Sequence, residues 1–199
     1  MRLLREYIRE LLTEAAKGPA DLPDGVYVRV RDGASANFRV FYSYGSGEAI
    51  DLDATLPGGY VDVHGPSFRT SDAPCLNAWN VGGAHATHGW GPMLYDVAME
   101  RVGDRGLMAD RDSLSADAFA VWEKYMERGD VQKKQLDDEE NTLTPEEEDN
   151  CTTDTAHQRQ DFLGWESREF YRASPVMKVY TKGPTTIEKL EAIGRFIGE

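Results

Sequence analysis

The chain is short of cysteine, of long apolar runs and of basic residues, and each shortage removes a class of protein. Two cysteines in 199 residues, Cys75 and Cys151, are too few for a disulfide framework, and the reading that suits a cytosolic chain is a pair of reduced thiols. No run approaches the roughly 18 apolar residues of a membrane span, and no apolar segment of signal-peptide type is present. Lys and Arg number 22 against 35 Asp and Glu, a formal net charge of −13. That balance argues against broad contact with nucleic acid, whose phosphates would be repelled. Neither CxxC nor HExxH spacing occurs, and His85 and His88 stand near each other without a clear carboxylate or thiol partner, so no metal site is expected.

What is present is globular in character. The sequence is 40% apolar and 10% aromatic, and its length suits one domain with a real core. The charge is uneven. "DDEENTLTPEEED" (137–149) holds eight acidic residues and no basic one. Such a run reads as a solvated loop, with recruitment of a basic substrate as the sharper alternative.

The pattern along the chain divides it into a leading helix, a linker and a domain. "MRLLREYIRELLTEAA" (1–16) repeats Leu, Tyr and Ile at three- and four-residue steps, as an amphipathic helix does. "KGPADLPDG" (17–25) breaks it, and the domain runs over 26–199. "VYVRVRD" and "NFRVFYSY" alternate with period two around "GASA", which predicts an antiparallel hairpin. "GGYVDVHG" (58–65) and "LNAWNVGGA" (76–84) predict a third and a fourth strand. A helix over 92–103, the strand "GLMAD" (106–110) and a helix over 115–128 with Ser115 as N-cap follow. Another helix is expected around 154–165, then a strand in "PVMKVYTKG" (175–183). "TTIEKLEAIGRFI" closes the chain as a helix, with Thr185 and Glu188 in a capping-box pattern. The order predicts a single α/β or α+β domain.

The strand-to-helix turn "HATHGWGPM" concentrates the chemistry. The first amides of a helix have no partner within it, and the aligned peptide dipoles favour negative charge there. Gly89 and Gly91 allow a sharp turn and close approach of a ligand, and Pro92 fits the first helical position. The bland alternative is a pair of glycines that only turn the corner.

Over about fifty residues, "THGWGPMLYDVAMERVGDRGLMAD" followed by "SLSADAFAVWEKYMERGDV" resembles the core of the GNAT family, the GCN5-related N-acetyltransferases. The family pattern is Gln/Arg-x-x-Gly-x-Gly/Ala opening a helix, then a strand, then a helix. The resemblance implies a mixed, mostly antiparallel twisted sheet flanked by helices, with acetyl-CoA as the acyl donor and an amine as acceptor. It implies that Gly89, Trp90, Gly91, Met93 and Leu94 line the pyrophosphate turn. Two neighbouring strands would splay to take the pantetheine arm, and Tyr125 would protonate the departing thiolate. The amine attacks the thioester directly, so acid–base chemistry and positioning suffice. Asp110 and Asp112 stand where they would approach the acceptor amine, or serve as plain loop carboxylates.

Three residues depart from the family pattern. Ala86 replaces the Gln or Arg, which removes a phosphate contact of roughly 1.5–3 kcal/mol, with His85 or His88 as partial substitutes. Pro92 removes an amide. Trp122 stands where a tyrosine is expected, and Tyr125 is the nearest one. The chain also resembles acetyltransferase-like proteins of tailed bacteriophages, in "DAPCLNAW" and "HGWGPMLYDVAME" among other segments. That resemblance implies a second outcome: an inactive structural or capsid-packaged protein whose residues 1–16 are a targeting leader. The prohead protease would cut between Glu14 and Ala15. The location implied is the host cytoplasm or, once packaged, the virion.

Overall fold

The computed structural model describes residues 16–34, 36–52, 56–66, 75–110, 114–137, 143–144, 146–150 and 172–198. The leader helix, its Glu14 junction, the helix expected around 154–165, Asp112 and Cys151 lie outside the described residues.

Alternation of side chains decides the first half of the fold. Strand β1 (Val26–Asp32) pairs antiparallel with β2 (Asn37–Tyr44), Val28 opposite Tyr42 and Val30 opposite Val40. Those four side chains are buried on one face, while Arg31 and Arg39 of the other face are exposed. β3 (Gly59–His64) and β4 (Trp79–Ala86) extend the sheet antiparallel, so Val61, Val63 and Val81 join the same core. Helix α1 (Gly91–Val102) follows, and β5 (Leu107–Met108) returns parallel to β4. Helix α2 (Ala116–Glu127) begins at Ser115, whose hydroxyl accepts the Ala118 amide at 3.2 Å, as its position predicts. β6 (Gln132–Gln135), β7 (Lys178–Thr181), α3 (Thr185–Ala192) and β8 (Phe196–Gly198) complete the order.

The eight strands form one mixed sheet in the order β6-β7-β5-β4-β3-β2-β1-β8. Only β4 with β5 and β1 with β8 are parallel, so the α+β class and the mostly antiparallel sheet stand. The apolar stripe of α1 supplies the seam: Met93, Leu94, Val97 and Ala98 are buried in the main core. Full burial of one such side chain as large as leucine contributes about 1.5–3 kcal/mol. Among the described residues no helix is long and apolar enough to cross a membrane.

Three local expectations are corrected, and one strand is added to them. The last helix stops at Ala192, because Gly194 turns the chain at φ +66 and Phe196 to Gly198 pair with the free edge of β1. The apolar pair that looks like another helical turn thus serves a strand. The Thr185 and Glu188 box does not cap α3: the N-cap position is Pro184 without a side-chain cap bond, and a carboxylate from α1 takes that role. "QKKQ" forms β6 without apolar alternation, because pairing with β7 supplies its order. Finally, Cys75 is not a reduced thiol but half of a disulfide. It is fully buried, and its amide donates to the Asn150 carbonyl at 3.1 Å, which ties the start of β4 to the end of the acidic stretch.

Candidate functional site

The site grows from a fork between two strands. β4 and β5 are in register only where Trp79 faces Leu107 and Asn80 faces Met108, yet β4 continues to Ala86. A bulge sits between the pairings of Asp62 with Gly83 and of Val63 with Val81, and it leaves Gly82 as the extra residue. Bulges bend a strand and raise its local twist, which turns the distal half of β4 away from β5. Glycine makes room there: a Cβ on Gly82 would meet the His64 ring, so ring or strand would have to shift. Gly82, Ala84 and His85 are exposed although β4 lies between β3 and β5 in the sheet. Every second residue of this half therefore turns its backbone groups toward an edge that β5 does not pair.

The distal end of β4 leads into the glycine turn. Thr87 is pinned to Gly58, its amide donating to the Gly58 carbonyl at 3.0 Å and its hydroxyl accepting the Gly58 amide at 3.2 Å. The Trp90 amide closes the turn on the Thr87 carbonyl at 3.0 Å. Gly89 adopts φ +81, a conformation that L side chains resist, while Gly91 does not. The N-cap residue of α1, Trp90, makes no side-chain cap bond. The Lys17 amide donates to the Gly89 carbonyl at 3.0 Å, so the segment before β1 lies against this turn.

The predicted turn residues divide by what they can offer. Gly89 and Gly91 are half-buried, whereas the side chains of Trp90, Met93 and Leu94 are buried in the core. Of these three only Met93 keeps an amide for a ligand, because the Trp90 amide is bonded to Thr87 and the Leu94 amide lies within the helix ladder. Trp90 meets Tyr42 edge-on at 5.8 Å, and its carbonyl accepts the Tyr42 hydroxyl at 2.7 Å. Ala86 and His85 end β4, and Pro92 presents its carbonyl inward.

Tyr125 stands elsewhere, in a polar seam between α1, α2 and α3. Its hydroxyl lies 2.7 Å from Asp96 Oδ1 and 3.0 Å from the Pro92 carbonyl. The Arg128 guanidinium grips Asp96 at 2.6 and 3.0 Å and lies 4.9 Å from the Tyr125 ring centre. Burial pushes the Tyr125 phenol well above its ordinary value, and the Asp96 charge adds to that rise. Arg128 also binds Asp130, whose carboxyl that hydrogen bond holds down at about 2. Trp122 is core, stacked on Tyr180 with ring centres 5.0 Å apart. Asp96 and Arg128 carry no sequence signal beyond charge at a helix position.

The face of the sheet away from α1 carries a second group. Arg39 binds Asp62 through two contacts of 2.6 and 2.7 Å and lies 4.3 Å from the Tyr60 ring centre. Beside them is a pocket of about 260 Å³ lined by Arg31, Asp32, Asn37, Arg39, Asp62 and His64, with Gly33 and Phe38. Asn37, His64 and Asn80 form one cross-strand rung, His64 standing opposite both asparagines. Asn37 Oδ1 and Asn80 Oδ1 are buried and have no hydrogen-bond partner among the described residues. Sequence reasoning passed over this rung. Its one available signal was the Gly82 and Gly83 pair inside a strand.

No family model, curated protein or solved structure matches the chain.

Proposed function

We propose that the protein is a GNAT-like N-acyltransferase that moves an acetyl group from acetyl-CoA to an amine. The observation that carries this reading is the fork: a central strand with two paired residues toward β5 and an exposed distal half running into a helix start whose N-cap residue makes no side-chain cap bond. The open edge of β4 fits an extended amide chain, which would bind as an added strand does. The amides of Gly91 and Met93, which have no partner within α1, are the groups that would hold a diphosphate, while the Leu94 amide is bonded inside the helix.

Bound acetyl-CoA supplies the activated acyl carbon. The chain's part is then to align the thioester with an incoming amine and to keep both still, where well-oriented reactants gain about 7–11 kcal/mol. Ala86 and Pro92 each withhold one contact from the phosphates, so binding weaker than a fully equipped turn is part of the proposal.

The test is a melting curve with and without coenzyme A. Ligand at about a hundred times its Kd adds about 2.7 kcal/mol, a rise of several degrees for a chain of this size. An unchanged melting temperature at millimolar acetyl-CoA removes the reading. A second reading, an inactive tailed-phage protein packaged in the virion, is favoured by one observation: Tyr125 spends its hydroxyl on Asp96 and the Pro92 carbonyl. Coenzyme A binding without acetyl transfer to any amine, and a terminus at Ala15 in particles, are its expected signs.

A further inference from the structure

We propose that the disulfide at Cys75 is a redox latch across the middle of the sheet, opened by a dithiol reductant, and that its opening loosens the join between β4 and β5. The latch is a property of the fold and stands apart from the acyl-transfer reading.

The join is narrow. β6, β7 and β5 form one half of the sheet, and β4, β3, β2, β1 and β8 form the other. The halves meet along two residue pairs, Trp79 with Leu107 and Asn80 with Met108. Cys75 sits just before this ladder, which the Trp79 amide begins on the Gly106 carbonyl at 3.0 Å. The Cys75 amide reaches across to the Asn150 carbonyl at 3.1 Å, and Cys151, the only other cysteine of the chain, adjoins Asn150. Asn150 is bridged to Asp137, just beyond β6, and the Asp137 amide donates to the Asp149 carbonyl at 2.8 Å. The latch therefore ties the start of β4 to the end of β6, from one half of the sheet to the other.

Both ends of the latch are held in arrangements they would not keep alone. Cys75, Leu76 and Asn77 have φ of +45, +55 and +52, and among the described residues they are the only non-glycine residues with positive φ. A Cβ crowds the following carbonyl in this conformation, so L residues enter it singly and not in runs. Strain of this kind persists only where the surroundings impose it. Here Cys75 is fully buried and bonded through both its sulfur and its amide. At the other end, Asp137 and Asp149 are both buried and share the Thr144 hydroxyl, which lies 3.4 Å from Asp137 Oδ2 and 2.7 Å from Asp149 Oδ2. One hydroxyl proton cannot serve two carboxylates, so like charges stay close together there.

Opening is a balanced exchange. A thiolate of the dithiol attacks one sulfur, and the other sulfur leaves as a thiolate and takes a proton. The second thiol of the reductant then expels the first sulfur, which is protonated in turn. Two electrons pass to the protein, which gains two thiols, and the reductant departs as its own disulfide. The covalent loop that encloses α1, β5, α2 and β6 becomes an open chain, with the freedom a cross-link removes. The turn Cys75–Asn77 leaves the left-handed region, Asp149 withdraws from Asp137, and two residue pairs alone hold the halves of the sheet.

The experiment is amide hydrogen exchange on the folded full-length chain, before and after dithiothreitol, with the free thiols counted by alkylation and intact mass. Reduction is expected to speed exchange at the Cys75, Trp79 and Asp137 amides by about tenfold or more while β1 and β2 keep their protection. Oxidised glutathione should restore the slow rates. Failure of dithiothreitol to free the thiols without denaturant, or reduction with unchanged exchange, would overturn the latch. Loss of protection throughout the chain would overturn it too, since the bond would then be a plain structural staple. Leu76→Gly tests the strain, because glycine holds a left-handed turn unaided. The ratio of reduced to oxidised exchange rates at Trp79 should fall well below the wild-type ratio, and an equal ratio would refute the argument. Should that variant fail to fold, Asn77→Gly, whose side chain is exposed, is read in the same way.

Discussion

Glu100, near the end of α1, caps α3 through Thr186. Its carboxylate accepts the Thr186 amide at 2.8 Å and the Ile187 amide at 2.7 Å, and it pairs with the Lys182 ammonium. A helix start always leaves amides without partners, and here a carboxylate from another helix satisfies them. The same contact hides a charge pair, since both side chains are almost fully buried. Glu100→Ala leaves Lys182 charged in the interior with Asp96 3.8 Å away as its nearest remaining carboxylate. A loss of about 3–5 kcal/mol is expected, measured by urea unfolding. Glu100→Gln keeps an acceptor and should lose less. Equal stability of all three proteins would remove the cap from this account.

Tyr125→Phe separates structure from chemistry at one atom. The variant deletes a hydroxyl 2.7 Å from the Asp96 carboxylate, so stability should fall by about 1–3 kcal/mol. Coenzyme A affinity should be unchanged, because the phenol faces the seam between helices. If Tyr125 also supplies the thiolate proton, turnover drops much further than stability explains; a fall in kcat with an unaltered melting curve would assign it to catalysis alone.

Lys178 makes stability depend on pH above neutrality. Burial, with a smaller push from Arg172, lowers its amine to about 8. A lysine depressed in the folded state prefers to be neutral there, so the unfolded chain holds more protons between about 8 and the ordinary 10.5. Stability contributed by this group therefore rises with pH across that window. Lys178→Met should flatten the rise, read from urea midpoints at pH 7.5, about 9 and about 10. A steeper rise in the variant would reverse the sign and refute the assignment.

Gly82→Ala tests the bulge. The new methyl group would strike the His64 ring, so either the ring or the strand must move. Rearrangement of this kind costs about 1–3 kcal/mol, and the His64 ring resonances should shift. An alanine variant with wild-type stability and an unmoved His64 would mean that the bulge does not depend on glycine.

Much of the scaffold was readable in order of residues alone. Period-two alternation in "VYVRVRD" and "NFRVFYSY" placed β1 and β2, and the apolar stripe of Met93, Leu94, Val97 and Ala98 placed α1 with its inward face. Ser115 marked the start of α2 because capping is a local event, completed within four residues. The glycine turn was legible for the same reason, since the demand for φ +81 at Gly89 arises within the turn itself.

What needed the tertiary structure is every feature whose partner lies far along the chain. β6 exists because β7 pairs with it, Phe196 leaves the helical pattern because β1 has an unfilled edge, and Thr185 loses its local cap to Glu100. The rung of Asn37, His64 and Asn80 gathers three strands, and only strand register brings such residues opposite one another. Local propensity is written into neighbouring residues, but tertiary pairing overrides it where the two compete, as at Phe196 and Thr185. Hydrogen bonds and charge pairs between distant segments arise only when the packed core brings those segments together, so the polar seams and the fork were decided by the fold.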